Sequence, residues 1–371
     1  MKKVIIVGGG LAGLVTGIRL ARWNIPCTVI EKKKYPFHRV CGEYISNETV
    51  PFLRKEGLYP ESFNPPHVNQ FQLSSVNGKL TTLPLDIGGF GISRYQFDHF
   101  LYSTAKKAGV DFLLDTEVEA VDFRGDVFQV KTSSQSLEAA IVIGAFGKRS
   151  KLDHRLNRNF FKRRSPYVGV KYHVRTNHPH NLIALHNFRG GYCGISNIED
   201  GKTNLCYLTH RDNVKKFKNI CEMETEVLFE NPHLRSIFEN SEFLFEKPET
   251  INEISFETKE PVWNHILMTG DAAGMITPLC GNGMAMAIHS AKILSDLIKE
   301  NFESGKFNRI QQEKQYASSW DKAFTRRLWI GRQIQHKLFG SEWSSNLAVN
   351  LAIYSKPVAR VIIKNTHGKA F

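Results

Sequence analysis

A chain of 371 residues, 42% hydrophobic and 23% charged, is long enough to bury a substantial core, with room for about two domains or one large interleaved one. Lys and Arg number 49 against 36 Asp and Glu, and this net charge of +13 favours acidic partners, anionic lipid surfaces or anionic cofactors. The positives are scattered and accompany no zinc-finger spacing or aromatic RNA-binding run, so no nucleic-acid partner is expected. No apolar run reaches the roughly eighteen residues of a membrane span, and six widely spread cysteines match neither a metal site nor a compact disulfide framework. A cytoplasmic location is expected.

The opening MKKVIIVGGGLAGLVTGIRL has the charged start and apolar stretch of a secretory leader, but glycines stand where a leucine-rich core belongs, and the chain runs on through Arg19 and Arg22. Lys3 to Val7 predicts a strand, GGGLAG a tight turn and LVTGIRLARW a helix. Within this unit Gly8, Gly10 and Gly13 satisfy GxGxxG around Leu11 and Ala12. Such spacing gives a tight turn, close backbone approach to a pyrophosphate and close packing of helix on strand. A second strand, CTVIEK, ends in Glu31, where an acid can accept hydrogen bonds from both ribose hydroxyls. FAD and NAD share this cradle, so these residues leave the nucleotide open.

Further along, NQFQLSSV and KLTTLPL predict paired strands, and the segment from Tyr167 to Thr209 continues an antiparallel sheet with EDGK as a hairpin turn. NVKKFKNICEMETEVLFENPHLRSIF reads as helical with a break near Pro232. The strand HILMT then runs into Gly270 and Asp271, and AMAIHSAKILSDLI predicts a helix after Gly283. An acid at a strand end facing a second helix N-terminus suits a polyhydroxyl chain, such as the ribitol of riboflavin. From about Phe307 the chain is expected to be helical to its end, with a break at Pro357. Its basic amphipathic stretch holds Trp320, Phe324, Leu328, Trp329 and Phe339 with Arg326, Arg327, Arg332 and Lys337. Such a helix packs on its parent domain more often than on a membrane, but peripheral membrane contact is retained as an expectation. The histidines show no metal-ligand spacing.

With GxGxxG at residues 8–13, GISRYQFDHFL and GDAAGMITPLCGNG in this order, the chain resembles the FAD-dependent oxidoreductases of the aromatic hydroxylase superfamily, including the geranylgeranyl reductases and flavin halogenases. The resemblance implies that Asp271 contacts the ribitol and that Pro278, Gly281, Asn282, Gly283 and Met284 lie beside the isoalloxazine ring. It also implies Arg94 near the flavin, Val118 along the adenine, and Lys32, Arg39, Cys41 and Gly42 among the cofactor-binding residues. The implied fold is mixed α/β. A Rossmann-like FAD-binding domain with a parallel sheet (1–70, 91–160, 262–306) is interleaved with an antiparallel-sheet substrate domain (71–90, 161–261) and followed by a helical region (307–371).

Three departures bear on the chemistry. GAFGKRS places Phe146 where the hydroxylases carry an acid in GADGxxS, which weakens direct reduction by NAD(P)H; Lys148 and Arg149 there could meet a phosphate or an acidic electron donor. RVCGEYIS has Cys41, Gly42 and Glu43 where the reductases carry Cys-Gly-Gly. GGYCGIS lacks the Trp and Pro of the reductases' GGYxWxFP and the halogenases' WxWxIP, which argues against halogenation. The expected activity is hydroxylation of an apolar or phenolic small molecule through a flavin C4a-hydroperoxide, with Cys41, Glu43 and Tyr192 as catalytic candidates and NAD(P)H as a transient reductant or an external electron donor in its place. Reduction of unsaturated lipid chains, and a flavin-carrying electron-transfer or binding module, are the alternatives.

Overall fold

The computed structural model describes residues 3–305, 307–338, 342–355, 357 and 365–371. A six-stranded sheet forms its first layer, in the order Val262–Trp263, Ile266–Met268, Ile141–Gly144, Val4–Val7, Cys27–Glu31, Asp111–Leu114. All its pairings are parallel except the edge hairpin of Val262–Trp263 with Ile266–Met268. Runs such as VIIV and IVIG are buried at every position, as strands covered on both faces must be. The cover on one side is the pair of helices Leu11–Arg22 and Gly283–Glu303. Between them the buried Arg19 donates to Lys292 O at 3.1 Å and Ser295 Oγ at 2.7 Å and pairs with Asp296 at 2.9 Å, so segments far apart in sequence are tied side by side.

The second layer is a nine-stranded sheet running Glu242–Phe243, Tyr167–Arg175, Thr203–His210, Gly191–Asn197, Leu182–Phe188, His67–Ser74, Leu80–Gly91, Tyr44–Ser46, with Glu249–Asn252 also on Tyr167–Arg175. It is antiparallel apart from Leu182–Phe188 beside His67–Ser74. Tyr44–Ser46 and His67–Ser74 belong to this sheet, although the sequence expectation placed residues up to 70 with the nucleotide-binding segments. The reason is local: Leu80–Gly91 runs on through Gly89 and Gly91 to pair with Tyr44–Ser46, and a Cβ at Gly91 would lie 1.9 Å from Asn197 O. A third, three-stranded sheet comprises Val118–Arg124, Val127–Thr132 and Ser136–Ala139.

The helical segment expected after the hairpin, with a break near Pro232, forms three short helices, Arg211–Lys216, Ile220–Val227 and Pro232–Glu239, with one further break at residues 217–219. Asn219 and Asn231 cap the second and third with their side chains, and the break expected near Pro232 falls at residues 228–231, with Pro232, whose missing N–H is harmless in a first turn, starting the next helix. The C-terminal region contains Arg309–Trp320, a π-turn at Asp321–Thr325, Arg326–Leu338 and Glu342–Tyr354. Trp320, Phe324 and Leu328 are buried in the main core, so the apolar face of the basic amphipathic stretch packs on its parent domain, and of its described large apolar side chains Trp329 stands out. Phe339 and the side chain of Lys337 lie outside the described residues. No helix among the described residues is long and apolar enough to cross a membrane.

Candidate active site

The glycine turn does what its spacing predicts. Gly8 has φ +107°, where a Cβ would lie 2.4 Å from Ala145 O, and a Cβ at Gly13 would lie 2.0 Å from Gly8 O. Both positions need the close approach that only glycine permits. A Cβ at Gly10, by contrast, would meet nothing nearer than Arg94 Nη2 at 3.6 Å, so this residue faces a gap toward Arg94. Neither Gly10 nor Asn282, the residues preceding the two main helices, makes a side-chain cap, which leaves N–H groups at both helix N-termini free to meet an anion. Leu11, Ala12, Val118 and Met284 are buried in the core, so their backbone is what they can offer a cofactor, whereas Lys32 is exposed.

A chain of charges links the cradle to the helix Arg94–Lys107. Glu31 is buried and accepts from Gly9 N–H at 3.0 Å and from Arg39 Nη2 at 3.1 Å. Arg39 Nε donates to Asp98 Oδ2 at 3.0 Å, and Arg94 Nε donates to Asp98 Oδ1 at 2.7 Å. Burial pulls the Arg94 guanidinium down, but the pairing with Asp98, helped by Cys41 and Asp271, holds it above its ordinary range and keeps it charged. Arg94, Cys41 and Asp271, read from three separate motifs, are thus electrostatic neighbours.

Asp271 sits in the turn Gly270–Ala272, where a Cβ at Gly270 would lie 3.0 Å from Ala12 Cβ: the two glycine motifs touch. The turn is held from behind by two residues that sequence reasoning missed. Lys259 donates to Asp271 O at 2.7 Å and Lys148 O at 2.6 Å, its ammonium pushed down to about 8 by burial; Arg158, wholly buried, donates to Ala272 O at 2.7 Å. A lone Lys or Arg carries no spacing signal, so only the fold reveals them. These cations hold backbone carbonyls, and no hydrogen bond among the described residues uses the Asp271 carboxylate. Nearby, Asn282 donates to Thr366 O at 3.1 Å while its buried Oδ1 has no partner. Two uncapped helix starts, a glycine cradle, an uncommitted acid and an orphaned amide oxygen together fit the phosphates and polyols of FAD.

The catalytic candidates fare differently. Glu43, expected to act on substrate, is fully buried in the left-handed region at φ +53°. It accepts from Arg94 N at 2.7 Å and Lys171 Nζ at 2.5 Å and bonds His173 Nε2 at 2.6 Å. Burial would raise its pKa, but Lys171 and His173 overcome this and hold it down at about 2. Glu43 is therefore held as an anion that joins the Cys41 loop, the helix Arg94–Lys107 and the sheet. Tyr192 is likewise buried: its hydroxyl accepts from Leu279 N at 3.0 Å and donates to Gln335 Oε1 at 3.3 Å, which pins the turn Pro278–Cys280. Burial raises its phenol well above the ordinary range.

Cys41 remains half-exposed beside the exposed Gly42, its loop laid on the sheet by Asn204 Nδ2 to Cys41 O at 3.2 Å and Ser196 Oγ to Gly42 O at 3.4 Å. Beneath it the sheet has an opening. Gly194 is the one accessible position in the strand Gly191–Asn197, and its cross-strand partner Cys206 is flanked by buried residues in Thr203–His210. A Cβ at Gly194 would meet only Cys206 O, at 3.6 Å. Burial, with Cys41 adding to it, pushes the Cys206 thiol up to about 12, so it is neutral. Leu185, the partner of Gly194 on the other side of its strand, belongs to an apolar cluster with Leu73, Leu83, Leu208, Met275 and Tyr192.

Lys148 and Arg149 are engaged within the fold, Lys148 on Val40 O at 3.1 Å and Arg149 on Glu253 at 3.0 Å with its guanidinium 3.8 Å from the centre of the Phe161 ring. A groove of about 750 Å³ between Phe123, His265 and Phe307 lies on the outer surface and includes none of these residues.

The sequence profile of the FAD binding domain family matches residues 1–312. The digeranylgeranylglycerophospholipid reductase of Methanosarcina acetivorans is 24% identical over 333 residues, covering 85% of this chain and 80% of the relative. The kynurenine 3-monooxygenase of Dictyostelium discoideum is 24% identical over 365 residues, covering 87% of this chain and 73% of the relative. Among solved structures, that of the flavin-dependent brominase Bmp2 superposes with a TM-score of 0.78 at 16% identity, covering 98% of this chain and 93% of the other.

Proposed function

The chain belongs to the FAD binding domain family and is a FAD-dependent oxidoreductase of the aromatic hydroxylase superfamily, and from that premise we propose that it hydroxylates an apolar or phenolic small molecule held at the opening beside Cys41. The observation that carries this reading is the pairing of that opening with an apolar wall, while the charged and hydroxyl groups around it are bound to the protein itself. A substrate there meets shape and apolar surface, with no charged partner to anchor it.

Bound FAD supplies the redox chemistry. The Gly8–Gly13 backbone and the helix it starts would hold the pyrophosphate, Glu31 the ribose, and Asp271 with the Asn282 amide the ribitol side. Arg94, fixed by Asp98, keeps a positive charge between the cradle and the Cys41 loop. Lys259 and Arg158 hold the Asp271 turn rigid, and Glu43 and Tyr192 fix the two loops that border the opening. The leucines of the wall exclude water.

A second reading, reduction of an unsaturated chain, is favoured by one observation: Cys41 is the accessible member of the three catalytic candidates, and its Sγ can deliver a proton to an alkene carbon at the opening. Purified protein with FAD, a chemical reductant and phenolic or prenyl substrates separates the two. Incorporation of ¹⁸O from labelled O₂ supports hydroxylation; product formed anaerobically, and lost in Cys41→Ser, replaces it with reduction. For the electron source we propose transient NAD(P)H, tested by anaerobic mixing: bleaching of the flavin absorbance supports it, and an unchanged spectrum moves the role to an external donor.

A further inference from the structure

The last two described long helices present an outer face that none of the described residues covers. On Glu342–Tyr354, Trp343, Leu347 and Tyr354 fall at i, i+4 and i+11 on one side and are 75%, 45% and 80% exposed. On the adjoining helix Arg326–Leu338, Trp329 is 56% exposed, and the exposed Lys322 and Arg326 precede it by seven and three residues on the same stripe. Just before the strand Leu80–Gly91, the exposed Lys79 adds a cation to the patch: its ammonium donates to Asn350 Oδ1 at 2.6 Å and lies 5.4 Å from the centre of the Tyr354 ring. Four large apolar side chains on neighbouring elements are more than the isolated surface residues a soluble monomer usually shows.

The cations shown on this face, Lys322, Arg326 and Lys79, say what meets it, and the sequence around them is of the same sign. From Lys322 to Phe371 the sequence has nine Lys and Arg and a single acid, Glu342, so a short terminal stretch carries more than half of the chain's net charge of +13. Exposed Trp and Tyr beside Lys and Arg match the boundary between lipid headgroups and acyl chains, where an aromatic ring is half-solvated and a cation meets phosphate. We propose that this face docks on an anionic lipid bilayer. It differs from the amphipathic face singled out in the sequence, which is folded into the core at Trp320, Phe324 and Leu328.

The opposite side of the same helices lies against the substrate wall. Val349 and Ala352 pack with Leu73, Leu83, Leu185 and Leu208, and Gln335 holds the Tyr192 hydroxyl. On the reading of an apolar substrate, on which this one step rests, docking brings the wall within one helix thickness of the phase in which such a substrate dissolves.

The test is co-sedimentation of the FAD-loaded full chain with vesicles of phosphatidylcholine alone and of phosphatidylcholine with phosphatidylglycerol. Binding to the anionic vesicles is expected. It should fall about tenfold or more in roughly 0.5 M salt and be lost in the double variant W343S/L347S, whose flavin absorbance and unfolding midpoint stay those of the parent. Absence of binding to either vesicle, equal binding to both, or undiminished binding by the variant overturns the proposal. So does a concentration-dependent dimer in light scattering that the variant abolishes, which assigns the face to a second copy. Vesicle binding without turnover of phenolic or prenyl substrates would leave the docking face standing and remove the functional reading alone.

Discussion

The cradle at the start of the chain and the Cys41 loop both gather charged residues, yet they are built in opposite ways. In the cradle the backbone does the binding: glycines at 8 and 13 let strand, turn and helix approach until no side chain fits, and the acid Glu31 is positioned by a backbone N–H. In the loop the side chains do the holding. Glu43 takes a backbone conformation that L residues seldom adopt and is kept there by a lysine and a histidine from a strand more than 120 positions away. The cradle is therefore sensitive to added volume, and the loop to removed charge.

The largest effect is expected where volume is added. Gly13→Ala puts a methyl onto Gly8 O, and we expect FAD affinity to fall by about a hundredfold or more, read as a colourless purified protein and by fluorescence titration with FAD. If the variant retains yellow colour at parental stoichiometry, the backbone account of the cradle fails.

Glu43→Gln sharpens the other half. It leaves the Lys171 ammonium buried without its anion and should cost about 3–5 kcal/mol in urea unfolding at neutral pH. The sign of its pH dependence follows from the lowered pKa. Between the ordinary carboxyl value of 4.5 and about 2 the unfolded chain binds the proton that native Glu43 refuses, so its contribution is full above pH 4.5 and is lost as pH falls through 2. The variant should lack that acid limb, and an unchanged limb would remove Glu43 from the role assigned to it.

Glu224 gives the reverse case behind the sheet. It accepts from the Tyr207 hydroxyl at 2.7 Å and the Tyr172 hydroxyl at 3.1 Å, and burial pushes it up to about 7. Here the native state holds the proton longer, so stability is lost as pH rises from 4.5 through 7. Glu224→Gln should gain about 1–3 kcal/mol at pH 8 and little at pH 4, measured by paired denaturant titrations. The smallest effect is expected from Tyr192→Phe, which removes the acceptor for Leu279 N–H and should cost about 1 kcal/mol. Its thermal midpoint, compared with and without FAD, checks whether the loss falls on the Pro278–Cys280 turn.

Much of the cofactor half could be read from the chain because its signals are local. GxGxxG in a strand, turn, helix context, an acid ending the next strand and GD before a second helix each depend on residues close in sequence, and the fold puts them in contact at Gly270 and Ala12. Lys259 and Arg158 escaped notice because they act on carbonyls of residues 12 and 114 positions away in sequence, a relation without spacing or composition. The opening at Gly194 and Cys206 was equally hidden. One glycine in a strand carries no meaning until its partner across the ladder and the burial of its neighbours are known.

By itself, then, the sequence determined the nucleotide cradle, the alternation of parallel and antiparallel segments, and the family, because hydrophobic period and glycine placement act within a few residues. Tertiary structure alone decided how each catalytic candidate is held. It locked Glu43 and Tyr192 into the framework, left Cys41 half-exposed, buried one amphipathic face and exposed another. The physical reason is that a side chain's role depends on desolvation and on partners brought from remote segments, and neither quantity exists until the chain has folded.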